Sequence, residues 1–402
     1  IGSVCAEAGV DLIDRRIAVA TGSPVSNPAQ AVIARKLACH WFPAALSPPI
    51  KALALDLDNT LHKGVLGEDG VHGVELTPQH QALQSAIKAL QQQGIFLALV
   101  SRNEREDVER LFAERHDYPL KWDDFTVIEV SWGDKASAIA RAAAALRIAP
   151  DAVLFVDDNI GELAAVTSQL PNVHAIHAHE DASLTQRAID YYPGLWRWKV
   201  TADDVKRNQD MKANALREAL LTEVTDTEEY LRNLQVKLVF NHSPQNHLQR
   251  IADLCKKTNQ FNLALRRFNL AEITERYHSD TSCVACVQLT DRLSDSGIIG
   301  VMVAERHGTQ LRIEELCISC RALGRELEDT IILWAIRKMP QFRDCEEVCF
   351  RVQHGPRNQP AVKWLAKHLG IDAETVPEGL NSIAKQQLEQ FTPMSSVQLI
   401  DE

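Results

Sequence analysis

Between residues 51 and 195, short apolar runs alternate with amphipathic stretches. The pattern predicts strands over 51–57, 95–100, 126–131, 152–157 and 173–178, and helices over 79–93, 104–115, 134–147 and 160–169. Nearly continuous apolar runs, without strict alternation, mark strands covered on both faces. Strands alternating with helices in this way predict an α/β, Rossmann-like, doubly wound parallel sheet. Residues 1–50 read as a partly helical lead-in, broken by prolines at 24, 28, 43, 48 and 49.

The texture then changes. Residues 196–234 are polar and helix-prone and read as a connector. From 235 to 402 the pattern predicts a strand at Val236–Phe240 and a helix at Asn246–Lys257. Three antiparallel strands follow within 281–319, then a helix at 324–338, a strand at 347–352 and a helix at 359–369. This α+β order resembles GNAT-type acyltransferases.

The first strands end in chemistry. Ala52–Leu55 runs into Asp56-Leu57-Asp58-Asn59-Thr60, Ile95–Val100 into Ser101, and Ala152–Val156 into Asp157-Asp158, while Lys135 opens a helix. Open α/β sheets bind ligands at the carboxyl edge, where these side chains fall. One carboxylate can attack phosphorus, the next can act as acid or base, and the acidic set can hold Mg²⁺. The order of nucleophile, hydroxyl, lysine and acidic pair resembles the haloacid dehalogenase phosphohydrolases. The glycine-rich stretch His62–Pro78 is long enough for a flap but too short for a large cap, so an open site is expected.

Composition narrows the class. A net charge of −11 argues against broad nucleic-acid binding. No apolar run is long enough to span a bilayer, and the N-terminus lacks a secretion-signal pattern. Nine cysteines, an odd number without such a signal, point to reduced thiols and a cytoplasmic protein. The start at Ile1 reads as a piece of something longer.

A second constellation lies at Arg321-Ala322-Leu323-Gly324-Arg325, expected between a strand and the N-terminus of a helix. Backbone N–H groups there would cradle an acyl carrier's pantetheine arm. Cys320, beside two arginines, is the candidate thiolate, with Cys317 as the alternative. The pairs Cys283/Cys286 and Cys317/Cys320 have zinc-like spacing but fall within apparent strands, where such partners face opposite ways. Lys256–Asn262 with Arg266-Arg267 is basic and amide-rich, suiting a polar substrate or an acidic carrier. Of the histidines, His40, His62 and His354 are open candidates for acid–base work.

Several stretches together, Asp56–Gly70, Val100–Asn103, Trp132–Lys135, Phe155–Asn159, Lys257–Asn262 with Arg266-Arg267, Asp291–Gly300, and Ser319–Arg325 with Glu328, resemble the FkbH-like glyceryl transferase/phosphatases of polyketide biosynthesis. The resemblance implies a haloacid dehalogenase-type domain without a large cap fused to a GNAT-like domain. It implies that 1,3-bisphosphoglycerate is drawn into a glyceryl or related C3 thioester, dephosphorylated with Mg²⁺, and passed to the phosphopantetheine thiol of an acyl carrier protein, within a polyketide synthase chain. It makes Asp56, Asp58 and Cys320 catalytic. It also makes Asp157 and Asp158 metal-side carboxylates and Ser101 and Lys135 phosphate ligands; Asp56 and Asp58 are further candidate metal ligands, and Thr60, Lys63, Arg102, Asn259, Arg321 and Arg325 further candidate substrate or phosphate ligands. His62-Lys63 and Arg102 depart from the family pattern, and Lys63 is expected to add a cation beside the phosphate. The alternatives are a capless Mg²⁺-dependent small-molecule phosphatase and a non-catalytic carrier-docking module.

Overall fold

The computed structural model of the chain describes residues 1–200, 202–223 and 226–402. It forms two compact units, Ile1–Asn208 and Gln209–Glu402, and the division falls within the stretch read as a connector.

Unit 1 is built on five strands, β1 (Ala52–Leu55), β2 (Phe96–Ser101), β3 (Val127–Val130), β4 (Val153–Asp157) and β5 (His174–His177). They pair in parallel in the order β3-β2-β1-β4-β5. This is the doubly wound arrangement expected from the apolar runs. Leu53, Leu55, Leu97, Leu99, Leu154 and Val156 share one core, and their neighbours Ala52, Ala54, Phe96, Ala98, Val153 and Phe155 are equally buried on the other face. The strand order reverses between β1 and β4, which opens a crevice at their carboxyl ends.

The segment before β1 is part of this unit. It carries helices at Gly2–Glu7, Ala18–Thr21, Asn27–Lys36 and Phe42–Leu46, with a π-helical turn at Leu37–Trp41. His40 stacks against Tyr191 and Trp196 at ring distances of 5.3 and 5.6 Å, and its Nε2 bonds the Asp190 carbonyl at 2.8 Å. That histidine is therefore a packing group away from the β1 edge. No large cap interrupts the sheet. The stretch 62–78 forms a short helix at Leu66–Asp69 and a bridge between Lys63 and Glu75, with Leu66, Val71 and Val74 in the core. Gly73 is required there, because a Cβ would lie 2.0 Å from the Asp69 carbonyl oxygen.

Unit 2 holds an eight-stranded mixed sheet. Its strands are β6 (Lys237–Asn241), β7 (Phe261–Asn262), β8 (Ser282–Thr290), β9 (Asp295–His307), β10 (Gln310–Ile318), β11 (Glu347–Val352), β12 (Gly379–Ala384) and β13 (Gln398–Asp401). The order is β12-β11-β10-β9-β8-β6-β13, with β7 on β10. The expected antiparallel trio is β8, β9 and β10. Alternate residues of β8 feed two cores: Cys283, Ala285 and Val287 one, Val284 and Cys286 the other. Cys283 and Cys286 thus face opposite sides of the sheet. Among the described residues no helix is long and apolar enough to cross a membrane.

One expected boundary moves. The helix predicted from 324 runs from Glu328 to Lys338. Residues 320–324 are turns and 325–326 bends, with Gly324 and Glu326 at φ +78° and +55°. Positive φ breaks the helix, so Cys320 and Arg321 lie outside its first turn.

Candidate active site

The β1 edge is set by local geometry. Asp56 N–H still bonds the Val156 carbonyl at 3.0 Å, so the first carboxylate leaves the sheet beside β4. The chain then turns through Asn59 at φ +51°, a conformation asparagine tolerates, and Asn59 Oδ1 accepts the Gly64 N–H at 3.0 Å. Lys135 opens its helix because Asp134 caps it, accepting the Ser137 N–H at 2.8 Å. Asn159 caps the helix Ile160–Gln169 and donates its own N–H to Asp157 Oδ1 at 2.8 Å.

These ends converge on one cleft of about 160 Å³, lined by Asp56, Asp58, Ser101, Arg102, Lys135, Asp158, Asn159 and Glu162. Lys135 Nζ lies 2.8 Å from Asp56 Oδ1 and 2.6 Å from Asp157 Oδ2, with all three side chains buried. Oxygens of Asp56, Asp157 and Asp158 lie within 4.8 Å of one another. Three carboxylates thus face one ammonium. Burial pushes the Asp56 carboxyl up to about 7, with Asp157 adding to the shift and Lys135 opposing it. Burial and Asp157 also raise Asp158. Burial alone would depress Lys135, but Asp56 and Asp157 outweigh it and keep its pKa above the ordinary lysine value. Three hard oxygen donors with surplus negative charge suit Mg²⁺.

Asp58 is held differently. Its Oδ1 accepts from His62 Nε2 at 3.2 Å and Leu66 N–H at 2.9 Å, and its Oδ2 accepts from Asn103 Nδ2 at 2.9 Å. Burial raises its pKa, but these donors together bring it below the usual carboxylate range. Asp58 was expected among the metal ligands. It stands outside the oxygen cluster of Asp56, Asp157 and Asp158, because both its oxygens are taken by protein donors.

Around this centre, Ser101 Oγ accepts from Asn103 Nδ2 at 3.1 Å. Arg102 pairs with Glu162 at 2.6 Å on the rim. Thr60 is buried, and its Oγ1 has no hydrogen-bond partner among the described residues. Lys63 is not among the residues lining the cleft: it bridges to Glu75, its Nζ lies 3.8 Å from that carboxylate, and its side chain is 69% exposed. Sequence reasoning left Asn103, Asn159 and Glu162 without roles and His62 without a partner. Asn103 could have been found, since it stands two residues beyond Ser101. The Arg102–Glu162 pairing joins separate elements and leaves no sequence signal.

In unit 2 the second constellation is largely internal. Arg325 Nη1 lies 3.1 Å from Asp291 Oδ2, and Nη2 donates to the Arg321 carbonyl at 2.7 Å. Arg321 Nη1 donates to the Ser296 carbonyl at 3.0 Å. Arg217 also pairs Asp291, at 2.8 Å, and Asp210, at 3.2 Å. Both Arg321 and Arg325 are buried, so the expectation that they present cations to a substrate is corrected: buried carboxylates and carbonyls already engage them. Burial and the neighbouring Arg217 lower Arg325 to about 10.

Cys320 is half-buried. Cys317 sits within the core, where its neighbour Cys255, then burial, push its thiol well above the usual range. Asn259 Oδ1 accepts from Arg267 Nη2 at 2.7 Å. His354 Nε2 bonds the Val376 carbonyl at 2.8 Å.

No family model matches the chain, and no curated protein matches it. Among solved structures, the N-terminal part of the protein BF1531 from Bacteroides fragilis, containing a phosphatase domain and complexed with Mg, is 26% identical over 48% of this chain, with a TM-score of 0.42. The match spans 54% of that chain, about half its length. The 3-deoxy-D-manno-octulosonate 8-phosphate phosphatase of Moraxella catarrhalis is 24% identical over 29% of this chain and 62% of its own, with a TM-score of 0.21. A spermidine N-acetyltransferase mutant of Vibrio cholerae is 14% identical over 38% of this chain and 96% of its own, with a TM-score of 0.28.

Proposed function

We propose that unit 1 is a Mg²⁺-dependent phosphatase and that the chain couples it to loading of a C3 acyl group, drawn from 1,3-bisphosphoglycerate, onto the phosphopantetheine thiol of an acyl carrier protein. The observation that carries the first half is the oxygen cluster of Asp56, Asp157 and Asp158 around Lys135, with Asp58 held apart by His62 and Asn103. Asp56 attacks phosphorus, forming an aspartyl phosphate as the bond to the leaving oxygen breaks and that oxygen takes a proton from solvent. Ser101 and Lys135 hold phosphoryl oxygens. Asp58, kept ionised by its donors, takes a proton from the water that then hydrolyses the aspartyl phosphate. Mg²⁺, held by Asp56, Asp157 and Asp158, would neutralise charge on the phosphoryl oxygens.

The second half rests on family resemblance and on Cys320. An acyl phosphate is a mixed anhydride, and a thiolate displaces its phosphate to give a thioester. Exchange to a carrier thiol then replaces one thioester with another. A plain phosphatase is the second reading, favoured by the burial of Arg321 and Arg325 and by the position of Cys320 outside the first turn of the following helix.

The test is intact-protein mass after incubation with 1,3-bisphosphoglycerate and Mg²⁺, followed by a holo carrier protein, with phosphate release measured in parallel. An adduct on Cys320 that moves to the carrier supports loading. Phosphate release that depends on Mg²⁺ and is lost in Asp56→Asn, with no adduct, leaves the phosphatase alone.

A further inference from the structure

The sheet of unit 2 is split. β10 and β11 pair in parallel only from Gln310–Ile313 to Glu347–Phe350, although both run further. Beyond that point β7 takes the edge of β10, pairing Asn262 with Cys317 and Phe261 with Ile318. Leu263 bridges the gap: its N–H donates to the Leu316 carbonyl at 3.1 Å, and its carbonyl accepts the Gln353 N–H at 2.9 Å.

The chain then turns sharply around Arg266. Leu265 and Arg267, on either side, have φ +50° and +54°, sparsely populated values for such side chains. Asn262 Oδ1 holds the turn by accepting the Leu265 N–H at 2.8 Å. Buried Asn358 pins it, donating from Nδ2 to the Asn262 and Gln353 carbonyls, each at 2.9 Å. Strain maintained by so many bonds belongs where a side chain must be aimed.

What is aimed is a guanidinium. Arg266 Nη1 meets Glu314 Oε2 at 2.9 Å, and Arg351 grips the same carboxylate through Nε at 2.8 Å and Nη2 at 3.2 Å. Glu314 is the extra residue of a bulge in β10 and is only 4% exposed. One carboxylate thus serves two guanidiniums, and Glu378, on the same cleft, is the second carboxylate near them. Arg266 Nε and Nη2 and Arg351 Nη1 make no hydrogen bond among the described residues. Their side chains are 38% and 35% exposed at an open cleft of about 420 Å³. Gln353 lines it too, as does Glu378, whose Oε1 accepts the His354 N–H at 3.0 Å.

We propose that this cleft binds a small molecule carrying an oxyanion, phosphate or carboxylate, next to a hydroxyl. The oxyanion lies against the unused donors of Arg266 and Arg351, which match its geometry as a fork. The hydroxyl meets Gln353 and Glu378. This site is separate from the aspartate cleft of unit 1 and does not depend on phosphatase chemistry.

Titration calorimetry on the full chain in EDTA, with inorganic phosphate, lactate and glycerol as probes, tests it. Phosphate or lactate should bind saturably, and glycerol more weakly. Arg266→Lys and Arg351→Lys should each weaken binding about tenfold, because the ammonium keeps the charge but loses the fork. Gln353→Ala should weaken lactate and spare phosphate. Lactate carries no phosphoryl group, so its affinity should be unchanged in Ser101→Ala, while phosphate held in the other cleft is lost there; the tighter probe in that variant names the oxyanion. Thermal melting checks folding. If Arg351→Lys fails to fold, the more exposed Arg266 and Gln353 variants decide alone. Wild-type affinity in Arg266→Lys, loss of binding only in Ser101→Ala, or no binding of either anion at about 50 mM would overturn the proposal.

Discussion

His62 reaches back one turn to hold Asp58, with Nε2 3.2 Å from Oδ1 and the ring fully buried against Tyr118 at a centroid distance of 6.1 Å. A hydrogen bond to a charged group is worth about 1.5–3 kcal/mol. His62→Phe should therefore lower kcat for phosphate release by roughly tenfold to a hundredfold with little change in KM, and His62→Gln should recover part of it. Steady-state phosphate release beside a melting curve checks this. A rise in KM with kcat intact would place His62 in substrate binding.

Lys135 is the only cation within 3 Å of either Asp56 or Asp157 among the described ion pairs. Lys135→Met leaves two buried carboxylates unpaired. The metal-free protein should lose about 3–5 kcal/mol of stability, and saturating Mg²⁺ should return part of it. Urea unfolding with and without Mg²⁺ measures both. Wild-type stability in the metal-free variant would mean that these carboxylates are neutral there.

Glu315 offers a pH signature in unit 2. It is fully buried, Oε2 accepts the Arg267 N–H at 2.9 Å, and Oε1 has no hydrogen-bond partner among the described residues. Burial raises its pKa from 4.5 to about 7. The folded protein favours the protonated acid, so this contribution is complete below pH 4.5 and is lost as pH rises through about 7. The loss is on the order of 3 kcal/mol by pH 8. Glu315→Gln should flatten that part of the stability profile. Unfolding curves from pH 5 to 8 on both proteins would show it, and parallel profiles would count against it.

Arg325 is a buried structural cation of unit 2. Its guanidinium is 3% exposed and paired with Asp291 and Asp210. Arg325→Ala should destabilise the protein by about 3–5 kcal/mol by leaving buried carboxylates under-compensated. Denaturant unfolding is the measurement. A variant of unchanged stability with impaired acyl transfer would return Arg325 to the substrate.

Much of unit 1 was legible in the amino-acid sequence. Strands covered on both faces need unbroken apolar runs, so Ala52–Leu55, Phe96–Val100 and Val153–Val156 announce themselves, and whatever ends them falls at the sheet's carboxyl edge. That is why Asp56, Ser101, Lys135, Asp157 and Asp158 could be named as neighbours before any fold was seen.

What the tertiary structure decided are pairings between groups distant in sequence or turned by backbone angles that composition does not encode. Asn103 reaches Asp58, and Glu162 reaches Arg102, only because β1, β2 and β4 lie side by side. Lys63 was read as a cation for phosphate, but it bridges to Glu75 and does not line the cleft. Arg321 and Arg325 looked like a ligand-facing pair on charge and spacing alone. Glu326 at positive φ delays the helix to Glu328, and Asp210 and Asp291, remote in sequence, engage the Arg325 guanidinium. A sequence displays periodicity because neighbouring side chains share an element. It does not display charge pairing across the fold, because any of its many carboxylates could serve until packing selects one.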